Sequence, residues 1–95
     1  MSAYVIVDID IQDQQAYEEY KALTPATISA YGGKYLARGG RTENFEGDWT
    51  PGRLVILQFD SLERARQWFD SPEYAPVKAL RHESARSNMV AIEGA

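Results

Sequence analysis

One segment with residues that could do chemistry is YGGKYLARGG, residues 31–40. In it, two glycine pairs lie on either side of Arg38. Glycine-rich loops beside a cation can hold phosphate, but phosphate loops place their glycines between a strand and the N-terminus of a helix. Here Gly32 and Gly33 follow a predicted helix and precede a strand, which is the reverse order. The pattern therefore favours a helix cap at Gly32 and a strand bulge at Gly39-Gly40 over a nucleotide site.

Arg38 itself has two interpretations. In a regular strand it would lie on the same face as Lys34 and Leu36, which are four and two residues before it. It would either be solvated or paired with an acid such as Asp8 or Asp10, or it would hold a carboxylate or similar anion. The second role suits the bidentate geometry of a guanidinium group.

The only histidine, His82, stands beside Arg81 and Glu83 near the end of a predicted helix. A single histidine in a chain without cysteine does not provide the set of ligands that a metal ion needs, so we expect no metal site. A position at the end of a helix stabilises a protonated imidazole by itself. The functional alternatives are general acid–base catalysis, for which His82 is a weak candidate, and haem ligation.

Aromatic side chains are numerous, with six tyrosines and two tryptophans in 95 residues. These side chains would form either the core of a small domain or the wall of a planar apolar pocket. If they form a pocket, we expect Tyr17, Tyr31 and Trp68 to line its wall. Trp49 lies in a predicted loop, where burial within its own chain is difficult. We therefore expect Trp49 to contact a second copy of the chain.

Hydrophobic periodicity predicts the elements that must position these residues. Alternation indicates a strand over 3–11, and apolar spacing of three and four residues indicates a helix after Asp13. A strand over 33–46, interrupted by the second glycine pair, should form a hairpin through the turn GDWTPG with the apolar strand RLVILQFD. Helices capped by Ser61 and Ser71 and a last strand, NMVAIE, complete the chain.

The order β-α-β-β-α-β predicts the α+β class and a ferredoxin-like plait. This is a four-stranded antiparallel sheet with helices on one face, and we expect it to form a single domain over residues 1–95. The other sheet face would carry apolar or aromatic groups such as Tyr4 and Ile6. An exposed face of that kind marks an interaction surface, so we expect a homodimer that pairs the two sheet faces.

The composition excludes several classes of function. The net charge of −4 argues against a nucleic-acid partner, because binding phosphates needs a basic surface. The absence of cysteine excludes thiolate catalysis and favours a cytoplasmic location. The N-terminal segment has no basic start and Asp8 interrupts its apolar run, so we expect neither a signal peptide nor a membrane partner. We expect no cofactor.

Four segments, AYVIVDIDI with AYEEYK, YGGKYLARGG, EGDWTPGRLVILQF and ARQWFDSPEY, stand in a characteristic order and spacing. Together they resemble the domain of unknown function 1330 family, within the dimeric α+β barrel superfamily. The resemblance implies a βαββαβ fold and a homodimer whose sheets close a barrel, without implying a reaction. The wider superfamily includes cofactor-independent monooxygenases and enzymes similar to muconolactone isomerase, which place small molecules between sheet and helices.

Two hypotheses of function follow. In the first, a homodimer binds a small anionic or aromatic molecule between sheet and helices, anchored by Arg38 and walled by Tyr17, Tyr31 and Trp68. In the second, the chain is a non-catalytic dimerisation or accessory binding module. The resemblance adds a third hypothesis, that the chain is an enzyme similar to a cofactor-independent monooxygenase or isomerase. In such an enzyme His82 would transfer a proton. No pattern combines a nucleophile, a base and an oxyanion hole, so the reaction stays unassigned.

Overall fold

The computed structural model describes residues 1–95 as four strands and three helices. They are β1 Ala3–Ile11, α1 Gln14–Ala30, β2 Lys34–Arg38, β3 Arg53–Phe59, α2 Leu62–Phe69, α3 Ala75–Ser84 and β4 Ala85–Glu93. The sheet order is β2-β3-β1-β4 and every neighbouring pair is antiparallel. The predicted plait is therefore confirmed. None of the three helices combines the length and hydropathy that a membrane crossing requires.

Alternation in β1 divides the sheet into two faces. Val5, Val7 and Ile9 are each 3% exposed beneath the helices, whereas Tyr4 and Ile6 are half-buried on the other face. The antiparallel register carries this division into β3 and β4. We call the face without helices the open sheet face. Burial of the helix-side residues supplies the main stabilisation of the fold.

Helix α1 begins where the sequence predicts. The Asp13 side chain accepts a hydrogen bond from the Ala16 N–H at 3.1 Å, which is the N-cap geometry. At the other end Gly32 has a φ of 74°, and the Gly33 N–H donates to the Ile28 carbonyl at 2.9 Å. A left-handed residue after a helix favours glycine, so the predicted cap is confirmed and no phosphate loop is formed.

The predicted second strand is too long. β2 ends at Arg38, and residues 39–52 form a loop without regular secondary structure, so the hairpin with β3 does not have the predicted short turn. Gly39 has a φ of 69° and donates its N–H to the Leu54 carbonyl at 2.8 Å. The second glycine pair therefore ends the strand instead of forming a bulge inside it.

The bulge lies earlier, at Leu36. Tyr35 pairs with Leu57 and Ala37 pairs with Ile56, so Leu36 is an extra residue without a partner. One extra residue moves every later side chain to the opposite face. Arg38 therefore joins Tyr35 on the helix side of the sheet, and the prediction that it shares a face with Lys34 and Leu36 is wrong.

Asp8, on the open sheet face, binds the loop 39–52. Its Oδ2 accepts from Trp49 Nε1 at 2.7 Å, and its Oδ1 accepts from the Gly52 N–H at 2.9 Å. Each oxygen thus accepts one hydrogen bond from the loop. Arg38 lies on the other side of the sheet, so the two side chains form no ion pair within the chain. The loop leaves Phe45 91% and Trp49 59% exposed.

The last two elements start elsewhere than predicted. A turn precedes α3, in which the Ser71 Oγ accepts from the Tyr74 N–H at 3.1 Å, and the helix itself begins at Ala75. α3 runs directly into β4, which starts at Ala85, before the predicted NMVAIE segment. The Ser61 cap of α2 is confirmed, because its side chain accepts from the Arg64 N–H at 3.0 Å.

Replacing Gly33 by alanine should destabilise the fold. An added Cβ would lie 2.5 Å from Phe59 Cε1 and 2.8 Å from Ile28 Cγ2, and Phe59 is 1% exposed and packed against Trp68. Overpacking of this kind costs about 1–3 kcal/mol. We expect Gly33→Ala to lower the unfolding free energy by that amount in urea denaturation.

The matched control is Gly40→Ala, because an added Cβ at Gly40 has no atom within 4 Å. We expect the control to unfold at the same urea concentration as the wild type or higher. Equal stability of the Gly33 and Gly40 variants would contradict the packing described for the turn between α1 and β2.

Candidate functional site

Arg38 is the charged side chain around which the candidate site forms. From the end of β2 its Nη2 donates to the Lys21 carbonyl of α1 at 2.9 Å, and its Cζ lies 4.5 Å from the centre of the Tyr35 ring. Neither ion pair of the chain involves Arg38. A guanidinium held by a carbonyl and an aromatic ring keeps its full charge and its remaining N–H donors for an external anion.

An open depression of about 600 Å³ lies beside Arg38, and we call it the outer depression. Arg53, Lys21 and Glu18 contribute its other charged groups, so three cations face one carboxylate. Glu18 and Lys21 form an ion pair at 3.2 Å, and the hydrogen bond from Lys21 lowers the pKa of the Glu18 carboxyl. The remaining positive charge belongs to the two arginines, which favours an anionic ligand.

Arg53 is held closely by its surroundings. Its Cζ lies 5.9 Å from the centre of the Tyr17 ring, and an added Cβ at Gly39 would collide with its guanidinium. Its buried Nε has no hydrogen-bond partner. Burial raises the pKa of the Tyr17 hydroxyl, and the charge of Arg53 opposes this rise. Glycine at position 39 thus allows the backbone to lie against the second arginine of the site.

A second space, the inner cavity, lies behind Arg38 between α1 and the sheet. Its volume is about 20 Å³, which accommodates one group of the size of a water molecule. Arg38 and Lys21 line both this cavity and the outer depression, so the two spaces adjoin. The other lining residues are Val7, Ile9, Tyr20, Thr24, Ile28, Tyr35, Val55, Leu57, Trp68 and Met89.

Three buried polar side chains form a hydrogen-bonded series that starts at Tyr20, which lines this cavity, and continues behind it. The hydroxyls of Tyr20 and Tyr74 are 2.8 Å apart, and Arg81 Nη1 donates to the Tyr74 oxygen at 3.3 Å. Arg81 is 3% exposed, its Nε has no partner, and no carboxylate pairs with it. Burial strongly raises the pKa of Tyr74, so its hydroxyl is neutral and supplies no counter-charge.

Arg81 and Arg53 are functional candidates that the sequence analysis missed. For Arg81 a signal existed, because Tyr74, Val77, Arg81 and Ser84 repeat at intervals of three and four residues and all four are buried. For Arg53 no local signal existed. Its proximity to Arg38 depends on how β2 and β3 pair across the long loop.

The three predicted wall residues lie in different places. Trp68 is 1% exposed, lines the inner cavity and stacks on Tyr74 with ring centres 4.2 Å apart. Tyr17 is buried in the core below Arg53 and is not part of the cavity lining. Tyr31 lies outside, where its hydroxyl donates to Glu73 Oε1 at 2.7 Å. Of the predicted wall, only Trp68 borders the cavity.

His82 is exposed and does not line either space. Its Nε2 accepts from Arg81 Nη2 at 3.2 Å, which makes Nδ1 the protonated nitrogen of a neutral ring. Partial burial and the charges of Arg81 and Lys78 lower the pKa of the imidazole. His82 therefore acts here as an acceptor for Arg81, and it is not placed to transfer a proton within the cavity.

A larger apolar groove of about 790 Å³ lies between α2 and β4. Its lining includes Leu62, Phe69, Met89 and Ala91, and its one cation, Arg66, pairs with Asp70 at 3.8 Å. Because this groove has no unpaired cation and its other charged group, Glu63, is acidic, we place the candidate site for an anion at the outer depression and the inner cavity.

The residues predicted for a dimer interface share the open sheet face or its border. Tyr4 and Ile6 of β1 lie beside Val90 and Ile92 of β4, which are 60% and 57% exposed. Trp49 reaches this face through its bond to Asp8. The result is an exposed apolar surface on the side opposite the helices.

Solved structures share this fold at low sequence identity. A protein of unknown function from Rhodopseudomonas palustris is 15% identical with a TM-score of 0.79, over 99% of this chain and 82% of that one. A dimeric ferredoxin-like protein of unknown function from Jannaschia sp. CCS1 is 14% identical with a TM-score of 0.72, over 99% and 100%. SnoaB, a cofactor-independent oxygenase from Streptomyces nogalater, is 10% identical with a TM-score of 0.69, over 99% and 93%.

At these identities the structural likeness shows the fold alone. A comparison with curated protein sequences finds no match. The family model described as Domain of unknown function (DUF1330) matches residues 2–95, which is nearly the whole chain. The resemblance inferred from the sequence is thus confirmed, and the chain belongs to the DUF1330 family.

Proposed function

We propose that this chain is a homodimeric domain in which each protomer binds a small organic anion between α1 and the sheet. The observation that carries the proposal is the position of Arg38. It borders both the outer depression and the inner cavity, and no carboxylate neutralises it. A ligand entering from solvent meets this guanidinium before it reaches the cavity.

The chemistry of the site favours an anion with a compact body. Arg38 and Arg53 supply two guanidinium groups to the outer depression, and its volume lies in the range of small-molecule sites. Tyr20, Tyr35 and Trp68 form aromatic parts of the inner wall. The site contains no pairing of a nucleophile with a base, so the proposal concerns binding and assigns no reaction.

The homodimer part of the proposal is supported by the open sheet face. Covering Tyr4, Ile6, Val90 and Ile92 with the same face of a second copy would remove their apolar surface from water. Structural neighbours from Jannaschia, Bacteroides fragilis and Thermobifida fusca are described as dimeric. Two sheets joined in this way form the α+β barrel. The absence of cysteine keeps the cytoplasm as the expected location.

Replacing Arg38 by alanine should abolish most ligand stabilisation. A ligand at about 100 times its Kd raises the unfolding free energy by about 2.7 kcal/mol. Losing a charge-assisted hydrogen bond removes about 1.5–3 kcal/mol of binding. We expect a thermal-shift screen of small carboxylic acids and phenols to give shifts with the wild type that Arg38→Ala loses.

Arg41→Ala is the matched control, because Arg41 is an exposed cation of the adjoining loop. We expect it to keep the shifts of the wild type. A screen without any shift would leave the non-catalytic dimerisation module as the function. Equal losses in both variants would show a nonspecific charge effect and contradict the anchor.

Replacing Ile92 by glutamate should separate the dimer. A charge buried in an apolar interface is strongly unfavourable, so we expect light scattering at micromolar concentration to give one chain for Ile92→Glu and two for the wild type. Ala91→Glu is the control, since Ala91 is also exposed but faces the helix side. A monomeric wild type, or a dimeric Ile92→Glu variant, would contradict the proposed interface.

A further inference from the structure

We propose that the inner cavity receives one anionic oxygen of the ligand, with the Tyr20 hydroxyl as its hydrogen-bond donor and buried Arg81 as its counter-charge. This inference rests on the proposed function and narrows the ligand to a phenolate or enolate. The body of such a ligand would occupy the outer depression beside Arg38, and its oxygen would pass inward to Tyr20.

The first argument is a count of donors and acceptors. Arg81 donates and cannot accept, so the Tyr74 oxygen serves as its acceptor. The hydroxyls of Tyr20 and Tyr74 share one hydrogen bond, which uses only one of their two protons. Either hydroxyl can be the donor of this bond. Because accepting from the Arg81 cation polarises the Tyr74 hydroxyl and makes it the better donor, we assign Tyr74 as the donor to Tyr20, which leaves the Tyr20 proton over. Because Tyr20 lines the inner cavity, that proton is available to an acceptor inside it.

The second argument is the uncompensated charge of Arg81. Its guanidinium is buried, its Cζ lies 6.0 Å from the centre of the Tyr20 ring, and its remaining contacts are the neutral His82 and the Met89 sulfur at 3.9 Å. A buried cation without a counter-ion destabilises a fold. An anionic oxygen at Tyr20 would supply the missing negative charge in surroundings of low dielectric constant.

The third argument is size. The inner cavity accommodates one group as large as a water molecule, which matches a single oxygen atom. A phenolate or enolate presents one such oxygen on a planar body. A carboxylate presents two, and these suit the bidentate donors of Arg38 in the outer depression instead. The cavity therefore selects the ionised hydroxyl over the carboxylate.

The test uses 4-nitrophenol, whose phenolate absorbs visible light while the phenol does not. At a pH where most of the free probe is protonated, we expect wild-type protein to increase the phenolate absorbance on binding. Tyr20→Phe removes only the donor, and we expect it to weaken phenolate binding about tenfold or more and to abolish the absorbance change.

Tyr35→Phe is the matched control, because Tyr35 lines the same cavity but does not take part in the hydroxyl pair. We expect it to bind the probe within about twofold of the wild type. Unchanged binding and absorbance in Tyr20→Phe, with binding still lost in Arg38→Ala, would overturn this inference and leave the proposed function intact. Absence of 4-nitrophenol binding to wild type would overturn this inference, whereas the proposed function is overturned only if the screen of carboxylic acids and phenols also gives no shift.

Two further measurements keep the inference testable if Tyr20→Phe does not fold. A crystal structure of wild type with 4-nitrophenol should place the phenolate oxygen about 3 Å from Tyr20 Oη. Any other position of that oxygen contradicts the inference. Benzoate provides the second measurement, and tighter binding of benzoate than of the phenolate by wild type would overturn the choice of ligand class.

Discussion

The extra residue at Leu36 determines which face of the sheet carries Arg38, and the candidate site depends on it. Without the bulge, strict alternation would place Arg38 on the open sheet face beside Lys34. With the bulge, its guanidinium reaches the Lys21 carbonyl of α1 and closes the outer side of the inner cavity. A backbone irregularity of one residue thus moves an exposed cation from the open sheet face to the border of the inner cavity.

The core beneath this cation contains several aromatic and polar side chains. Trp68 packs between Phe59 and Tyr74, and its Nε1 donates to Thr27 Oγ1 at 3.1 Å. This packing stabilises the core that also contains Arg81, a charge whose burial is unfavourable. The molecule therefore keeps a destabilising group that is linked through Tyr74 to Tyr20 of the inner cavity, an arrangement typical of functional sites rather than of packing alone.

Much of the fold could be predicted from the sequence because it depends on periodicity and caps. Alternation located β1, a nearly continuous apolar run located β3, and Asp13, Gly32 and Ser61 marked helix ends that the structure confirms. The site was less predictable. A single-residue bulge leaves no mark in the apolar pattern, so Arg38 was correctly singled out but assigned to the wrong face.

Contacts between distant segments account for the other differences. The bond between Trp49 and Asp8 joins residues that only the pairing of β1 with β3 brings together. Tyr31 was expected in the cavity because it follows the helix spacing, but it lies at the end of α1 where Glu73 accepts its hydroxyl. The spacing that would have revealed Arg81 was present, yet a charged residue in an inner stripe is easily taken for a surface residue.

The bulge in β2 has a second consequence, for aggregation. β2 is one of the two edge strands of the sheet, and an exposed regular edge is a template for pairing with other chains. This edge is five residues long, is interrupted at Leu36 and carries a cation at each end, Lys34 and Arg38. Short length, irregularity and charge all oppose the addition of a further strand. The irregularity that directs the Arg38 guanidinium toward α1 therefore also limits growth of the sheet at this edge.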